Sequence, residues 1–246
     1  DLFMLFAAVL LGISSVELAT ALQAMGRRVP RIPTGIVAVG AVPIAYYFGI
    51  LAALLFAAVG VVVVVLWRLV EIKRDYHATA DVSLFKDAKA AAFVQAYVTG
   101  LGSFAVALVA MPNGQWWTLA FLIMVVSVDT GAYVSGLNFG KHPMAPKISP
   151  KKTWEGFAGA GLAAIIAGIL LSIFMIGQPW WFGLIMGPII LVTATLGDLG
   201  ESHIKRTIGV KDMSSWLAGH GGFLDRLDSI LPSALVTYLI YILVVH

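Results

Sequence analysis

Two polar stretches in an otherwise apolar chain carry side chains suited to phosphate chemistry. Residues 198–229 hold Asp198, Glu201, Asp212, Asp225 and Asp228 among Lys205, Arg206, Lys211 and Arg226, one negative charge net. Residues 138–156, NFGKHPMAPKISPKKTWEG, set four lysines against Glu155, three positive charges net. Carboxylate oxygens are the ligands Mg²⁺ takes, and Lys or Arg neutralises remaining phosphate charge, so the two stretches together suit metal ions bridging a polyphosphate. Spacing sharpens this. If the apolar segment before Asp198 continues as a helix, then Asp198, Glu201, Ser202 and Lys205 fall at i, i+3, i+4 and i+7 on one face. A metal ligand, a hydroxyl and a cation then line one wall. Asp225 and Asp228 repeat the i, i+3 spacing directly after Gly219, His220, Gly221 and Gly222. Glycines let backbone N–H groups approach a phosphate closely, and the N-terminus of a following helix is an anion site. The plain alternative is a solvated, salt-bridged loop with a glycine turn. Five carboxylates, four cations and GHGG in so short a stretch weigh against it.

The elements that must position these residues are apolar. Of 246 residues, 60% are apolar and 12% charged, where a soluble domain is about half apolar and about a quarter charged. Cysteine is absent, which excludes disulfides, thiolate zinc sites and a cysteine nucleophile. The net charge is +3, but the basic residues form no continuous stripe, so a membrane surface is expected as partner and nucleic acid is not. Eight apolar stretches can cross a bilayer: residues 2–25, two within 33–66 that turn near Tyr47 to Gly49, 90–111, 116–137, two within 156–196 that turn at Gly177 to Pro179, and 230–245. The expected fold is all-α, a polytopic integral membrane helical bundle. It reads as a single transmembrane catalytic domain over 1–246, with residues 1–89 as scaffold and 90–246 carrying the site. With eight spans, all sixteen Lys and Arg fall in loops of one face, which the positive-inside rule makes cytoplasmic. Trp116, Trp117, Trp180 and Trp181 stand at the opposite turns and read as interfacial anchors. The chain starts at Asp1, not Met, which leaves room for a preceding segment.

The run SHIKRTIGVKDMSSWLAGHGGFLDRLD, Ser202 to Asp228, resembles the signature of the phosphatidate cytidylyltransferases, the CDP-diacylglycerol synthases. The likeness rests on Ser202, Lys205, Arg206, Lys211, Asp212, His220, Gly221, Gly222, Asp225, Arg226 and Asp228. KISPKKTWEG, Lys147 to Gly156, and Asp129 with Ala132 and Tyr133 are similar to that family as well, and the span pattern extends the likeness over nearly the whole chain. Ala218 stands where the family usually has proline, and an apolar segment usual at the family's N-terminus has no counterpart here.

The resemblance implies that CTP and phosphatidic acid give CDP-diacylglycerol and pyrophosphate with Mg²⁺ required, at the cytoplasmic face of a bacterial inner membrane. On this reading Asp198 and Asp225 are metal ligands, with Asp228 a weaker third. Lys205, Arg206, Lys211 and Arg226 hold phosphates, Ser202 and His220 orient them, and Asp212, Gly221 and Gly222 belong to the same site. Ser149, Lys151, Lys152, Thr153 and Glu155 grip phosphate or cytidine. Asp129, a carboxylate inside a span, is expensive unless functional or paired, and either faces the site or balances a lysine there. Glu17 reads as paired or snorkelling. A second cation, monovalent or divalent, and a homodimer are left open. The rival readings are another CTP-dependent lipid-phosphate enzyme, such as a polyprenol kinase, and, more remotely, a transporter or a lipid-binding scaffold.

Overall fold

The computed structural model describes residues 2–74, 83–214 and 221–245. His220, expected to orient phosphates, lies outside the described residues. The chain is helical nearly throughout: α1 (Leu2–Gln23), α2 (Arg31–Arg74), α3 (Leu84–Val94) running through a π-helical turn Gln95–Gly100 into α4 (Leu101–Val109), α5 (Gly114–Phe139), α6 (Trp154–Leu171), α7 (Trp180–Ile208) and α8 (Ile230–Val245). Two short strands, β1 (Pro143–Ala145) and β2 (Ser149–Thr153), form an antiparallel hairpin between α5 and α6.

Among the described residues, six helical stretches are long and apolar enough to cross a membrane. The 44 residues of α2 would measure about 66 Å if straight, about twice the hydrocarbon thickness of a bilayer. The helix instead reverses at Gly49, whose φ of 81° is left-handed backbone that glycine adopts without steric cost. Its halves then pack on each other: a Cβ at Gly60 would overlap Val37, and one at Gly40 would stand 3.1 Å from Phe56. Counting these halves separately and adding the 16-residue α8, each of the eight apolar stretches of the sequence corresponds to a helical segment. Their outward faces stay apolar, with Phe48, Leu51, Phe174 and Leu243 among the large exposed side chains, as lipid contact requires.

The helices gather into two compact units. The first comprises residues 1–110 and 207–226. There α1 packs on α2 around Leu18, Val42, Ala45 and Leu108. The buried Arg68 guanidinium donates to Asp87 at 2.9 Å, and the Asp87 carboxylate also accepts the Arg28 N–H at 2.9 Å. The second unit comprises residues 111–206 and 227–246. Its helices approach through small residues, as membrane helices do where van der Waals packing holds them together: α5 meets α6 at Gly131 and Ala163, and α6 meets α7 at Gly168 and Gly183. At the end opposite the hairpin, Trp117 stacks edge-on against Phe182 and Tyr241, and the Tyr241 hydroxyl donates to the Pro112 carbonyl at 2.8 Å. This corrects the reading of Trp117 as an interfacial anchor. Trp116, Trp180 and Trp181 are exposed, whereas Trp117 is buried, because neighbouring residues on a helix point about 100° apart.

Candidate active site

In the second unit, α7 continues as helix to Ile208 and carries Asp198, Glu201, Ser202 and Lys205 on one face. The Ser202 hydroxyl donates to Asp198 at 3.4 Å, and the Lys205 ammonium donates to Glu201 at 2.9 Å. Glu201 is fully buried, so its charge needs that partner. His203 is exposed on the other side of the helix, in keeping with its having no assigned role. Asp228, just before α8, stands against the same stretch of α7. The Asp228 carboxylate accepts the Ser229 N–H at 2.6 Å. Gly197 permits this approach: a Cβ there would overlap the Asp228 carbonyl and stand 2.7 Å from the Pro232 ring.

The β-hairpin delivers the cation. Lys152 on β2 pairs with Asp198 at 2.5 Å. Arg206 donates from Nε to the Ile148 carbonyl at 3.3 Å, tying the end of α7 to the same hairpin. Thr153 caps α6 by accepting the Gly156 N–H at 3.1 Å. Glu155 accepts the Lys141 and His142 N–H groups at 3.1 and 3.2 Å and pairs with the His142 ring at 2.5 Å. Thr153 and Glu155, expected to grip substrate, are thus engaged in fastening the hairpin to α6. Ser149 is half-buried and Lys151 is exposed on the same strand. Asp129 on α5 stands close enough to Asp198 and Lys152 to feel both charges.

Asp228 reports the charge balance. Burial first, and the nearby Asp198 second, push its carboxyl up to about 6; Asp129 acts in the same direction, against the hydrogen bond from Ser229. Asp198 and Asp129 thus set negative charge beside Asp228. Among the described residues no three Asp, Glu or His side chains form a complete ligand set.

Asp225, the other expected ligand, belongs to the first unit with Lys211, Asp212, Gly221, Gly222 and Arg226. Its Oδ2 accepts the Gly222 N–H at 2.6 Å and the Met213 N–H at 3.2 Å. Lys211, Asp212 and Arg226 are exposed. The N–H groups after the glycines, expected to meet phosphate, are donated to carboxylates: Gly222 to Asp225, and Phe223 and Leu224 to Glu17 at 3.0 and 2.8 Å. Glu17 lies in the middle of α1, fully buried, and also accepts the Ser214 hydroxyl at 2.5 Å. The sequence reading left Glu17 either paired, with no partner named, or snorkelling. The one signal available was a lone carboxylate in an apolar span.

An acidic and basic cluster with an electron-rich carboxylate pair at the end of two helices fits nucleotide chemistry, and the relatives agree. Residues 1–244 match the Cytidylyltransferase family. The chain belongs to that family. A phosphatidate cytidylyltransferase of Mycobacterium bovis is 39% identical over 233 residues, covering 93% of this chain and 76% of the relative. Its counterpart in Mycobacterium leprae is 39% identical over 234 residues, covering 92% and 75%. One from Brucella suis is 38% identical over 123 residues, half of this chain. Membership makes this chain a nucleotidyltransferase.

The glycine beside Asp198 offers a sharp test. Gly197→Ala is expected to lower transferase turnover about 10²-fold, the scale of loss that follows misplacement of a reacting group by about 1 Å. Gly200→Ala, one turn on, meets no neighbouring atom and should leave turnover unchanged. Steady-state rates of the two variants side by side check the pair.

Proposed function

We propose that this chain transfers the cytidylyl group of CTP to phosphatidic acid, releasing pyrophosphate and forming CDP-diacylglycerol. The observation that carries it is the Asp198, Asp228 and Lys152 cluster in a chain that matches the Cytidylyltransferase family from end to end. A lipid phosphate oxygen attacks the α-phosphorus of CTP as the bond to the pyrophosphate oxygen breaks. A phosphate monoester is already anionic near neutral pH, so no strong general base is required, and catalysis is positioning and charge neutralisation. Asp198 and Asp228 would hold Mg²⁺, which when bound neutralises phosphate charge and so favours departure of pyrophosphate. Lys152 and Lys205 hold Asp198 and Glu201 in place and present positive charge to the phosphates, and Ser202 fixes the rotamer of Asp198. A two-tailed lipid leaves the bilayer only at about 0.8 kcal/mol per CH₂ exposed, so a site at the helix ends, within reach of headgroups, suits one lipid and one soluble substrate. The distribution of Lys and Arg supports a cytoplasmic site in the plasma membrane of a bacterium.

The test is purified protein in detergent with phosphatidic acid and CTP labelled in the cytidine and in the α-phosphate. Both labels should enter the lipid with stoichiometric pyrophosphate, and chelation of Mg²⁺ should stop the reaction. A lipid kinase would release CDP and leave the lipid without cytidine, and a transporter would release nothing.

A further inference from the structure

Beyond the reaction, the first unit contains a cavity of about 500 Å³ lined by Arg28, Arg31, Arg68 and Arg74 with Glu71 as the acidic side chain and Trp67 at its wall. Reversal of α2 at Gly49 is what brings its first residue, Arg31, and its last, Arg74, to one end of the unit. Arg68 is already neutralised, by Asp87 at 2.9 Å and Glu71 at 3.4 Å. Arg31 is oriented by an uncharged partner, donating to Gln23 at 2.6 Å. The Arg28 and Arg74 guanidiniums engage no partner among the described residues. Three guanidiniums therefore keep their charge in one cavity.

The cavity has an apolar continuation. A groove of about 690 Å³ runs between α1 and the first half of α2, along Val9, Gly12, Val16, Gly35 and Val39, and it shares Arg31 and Ile32 with the arginine cavity. Arg31 is its one polar lining residue. Topological retention asks only for charge in a loop. It does not require a buried arginine locked by two carboxylates, a second held by a glutamine, or a continuous apolar trough leading away from them.

We propose that this pocket and groove bind an anionic glycerophospholipid, with the headgroup phosphate among Arg28, Arg31 and Arg74 and an acyl chain along α1 and α2. Guanidinium is planar, weakly hydrated and forks onto phosphate oxygens, which suits it to a half-desolvated headgroup site. Basic residues beside a bilayer each add affinity for anionic lipid. A soluble anion would use the arginines and leave the groove, so the groove selects the lipid. None of the residues assigned to cytidylyl transfer takes part.

The experiment is native mass spectrometry of the full chain in detergent with dioleoyl phosphatidylglycerol, dioleoyl phosphatidylcholine, dihexanoyl phosphatidylglycerol and inorganic phosphate. Phosphatidylglycerol is the decisive lipid because its phosphate is a diester and it is not a substrate of the proposed reaction, so the outcome is independent of that reading. The wild-type chain is expected to retain dioleoyl phosphatidylglycerol at least about tenfold more tightly than phosphatidylcholine. R28Q with R74Q should lose that preference, and R28K with R74K should keep part of it. All three arginines are exposed, so helix content by circular dichroism should be unchanged. An undiminished preference in the glutamine variant would overturn the site and reduce the arginines to a retention signal. Competition by inorganic phosphate or the dihexanoyl lipid as strong as that by the dioleoyl lipid would overturn the groove.

Discussion

Asp198→Asn is expected to reduce cytidylyl transfer by at least about 10³-fold, the upper range for removing one preorganised charge-stabilising group, with folding intact. The side chain keeps its shape, and Ser202 can still donate to the remaining oxygen. What goes is one negative charge from a cluster whose other members depend on it. Lys152 loses its partner at 2.5 Å, and the pair of carboxylates proposed to hold Mg²⁺ becomes a single one. A residual rate that recovers at high Mg²⁺ would point to weakened metal affinity, and one that does not would point to misplaced phosphate. The check is incorporation of labelled CTP into lipid across a Mg²⁺ series, with thermal unfolding of both proteins in detergent as control. Turnover equal to wild type would remove Asp198 from the site.

The same residue shows why part of the site was legible in the sequence. Asp198, Glu201, Ser202 and Lys205 are related by helix periodicity alone, and α7 does continue far enough to place them on one wall. Turns at Gly49 and at Gly177, which also has left-handed φ, were visible because glycine is the residue that such backbone favours. Contacts between elements distant in the chain were not visible. Nothing in the spacing of KISPKKTWEG says that Lys152 reaches Asp198 while Glu155 turns back to Lys141 and His142, since the choice depends on a short hairpin whose pairing shifts register between Pro143 and Ala145. Trp117 was misread for a related reason: composition places tryptophans at a membrane boundary but does not say which one faces Phe182 and Tyr241. The glycine segment shows a third limit. The glycine N–H groups were read as phosphate donors, but Gly222 is held by Asp225, and the acceptor of the next two N–H groups, Glu17, lies some two hundred residues earlier in the chain.

That long-range contact carries the second large effect. Leu224 is buried, and a buried N–H without an acceptor costs about what a hydrogen bond to a charged group is worth, roughly 1.5–3 kcal/mol. Glu17 satisfies two such N–H groups and the Ser214 hydroxyl at once, while Gly222 is packed so closely that a Cβ would stand 2.9 Å from its Oε1. Glu17→Ala removes all three acceptor contacts, so the amides of Phe223 and Leu224 are expected to exchange with solvent about 10²-fold faster, the equivalent of roughly 3 kcal/mol of local opening. Glu17→Gln keeps one oxygen and turns an amide donor toward the others, so its exchange should fall between the two. Asp225, which holds Met213 and Gly222 from the other side, then loses the frame in which its carboxylate is set, and transfer activity should fall in the same order as protection. Hydrogen exchange resolved to these amides decides the matter. Equal protection in all three proteins, or a loss spread evenly over α1 and α2, would make Glu17 a residue of general stability and not the anchor of this segment.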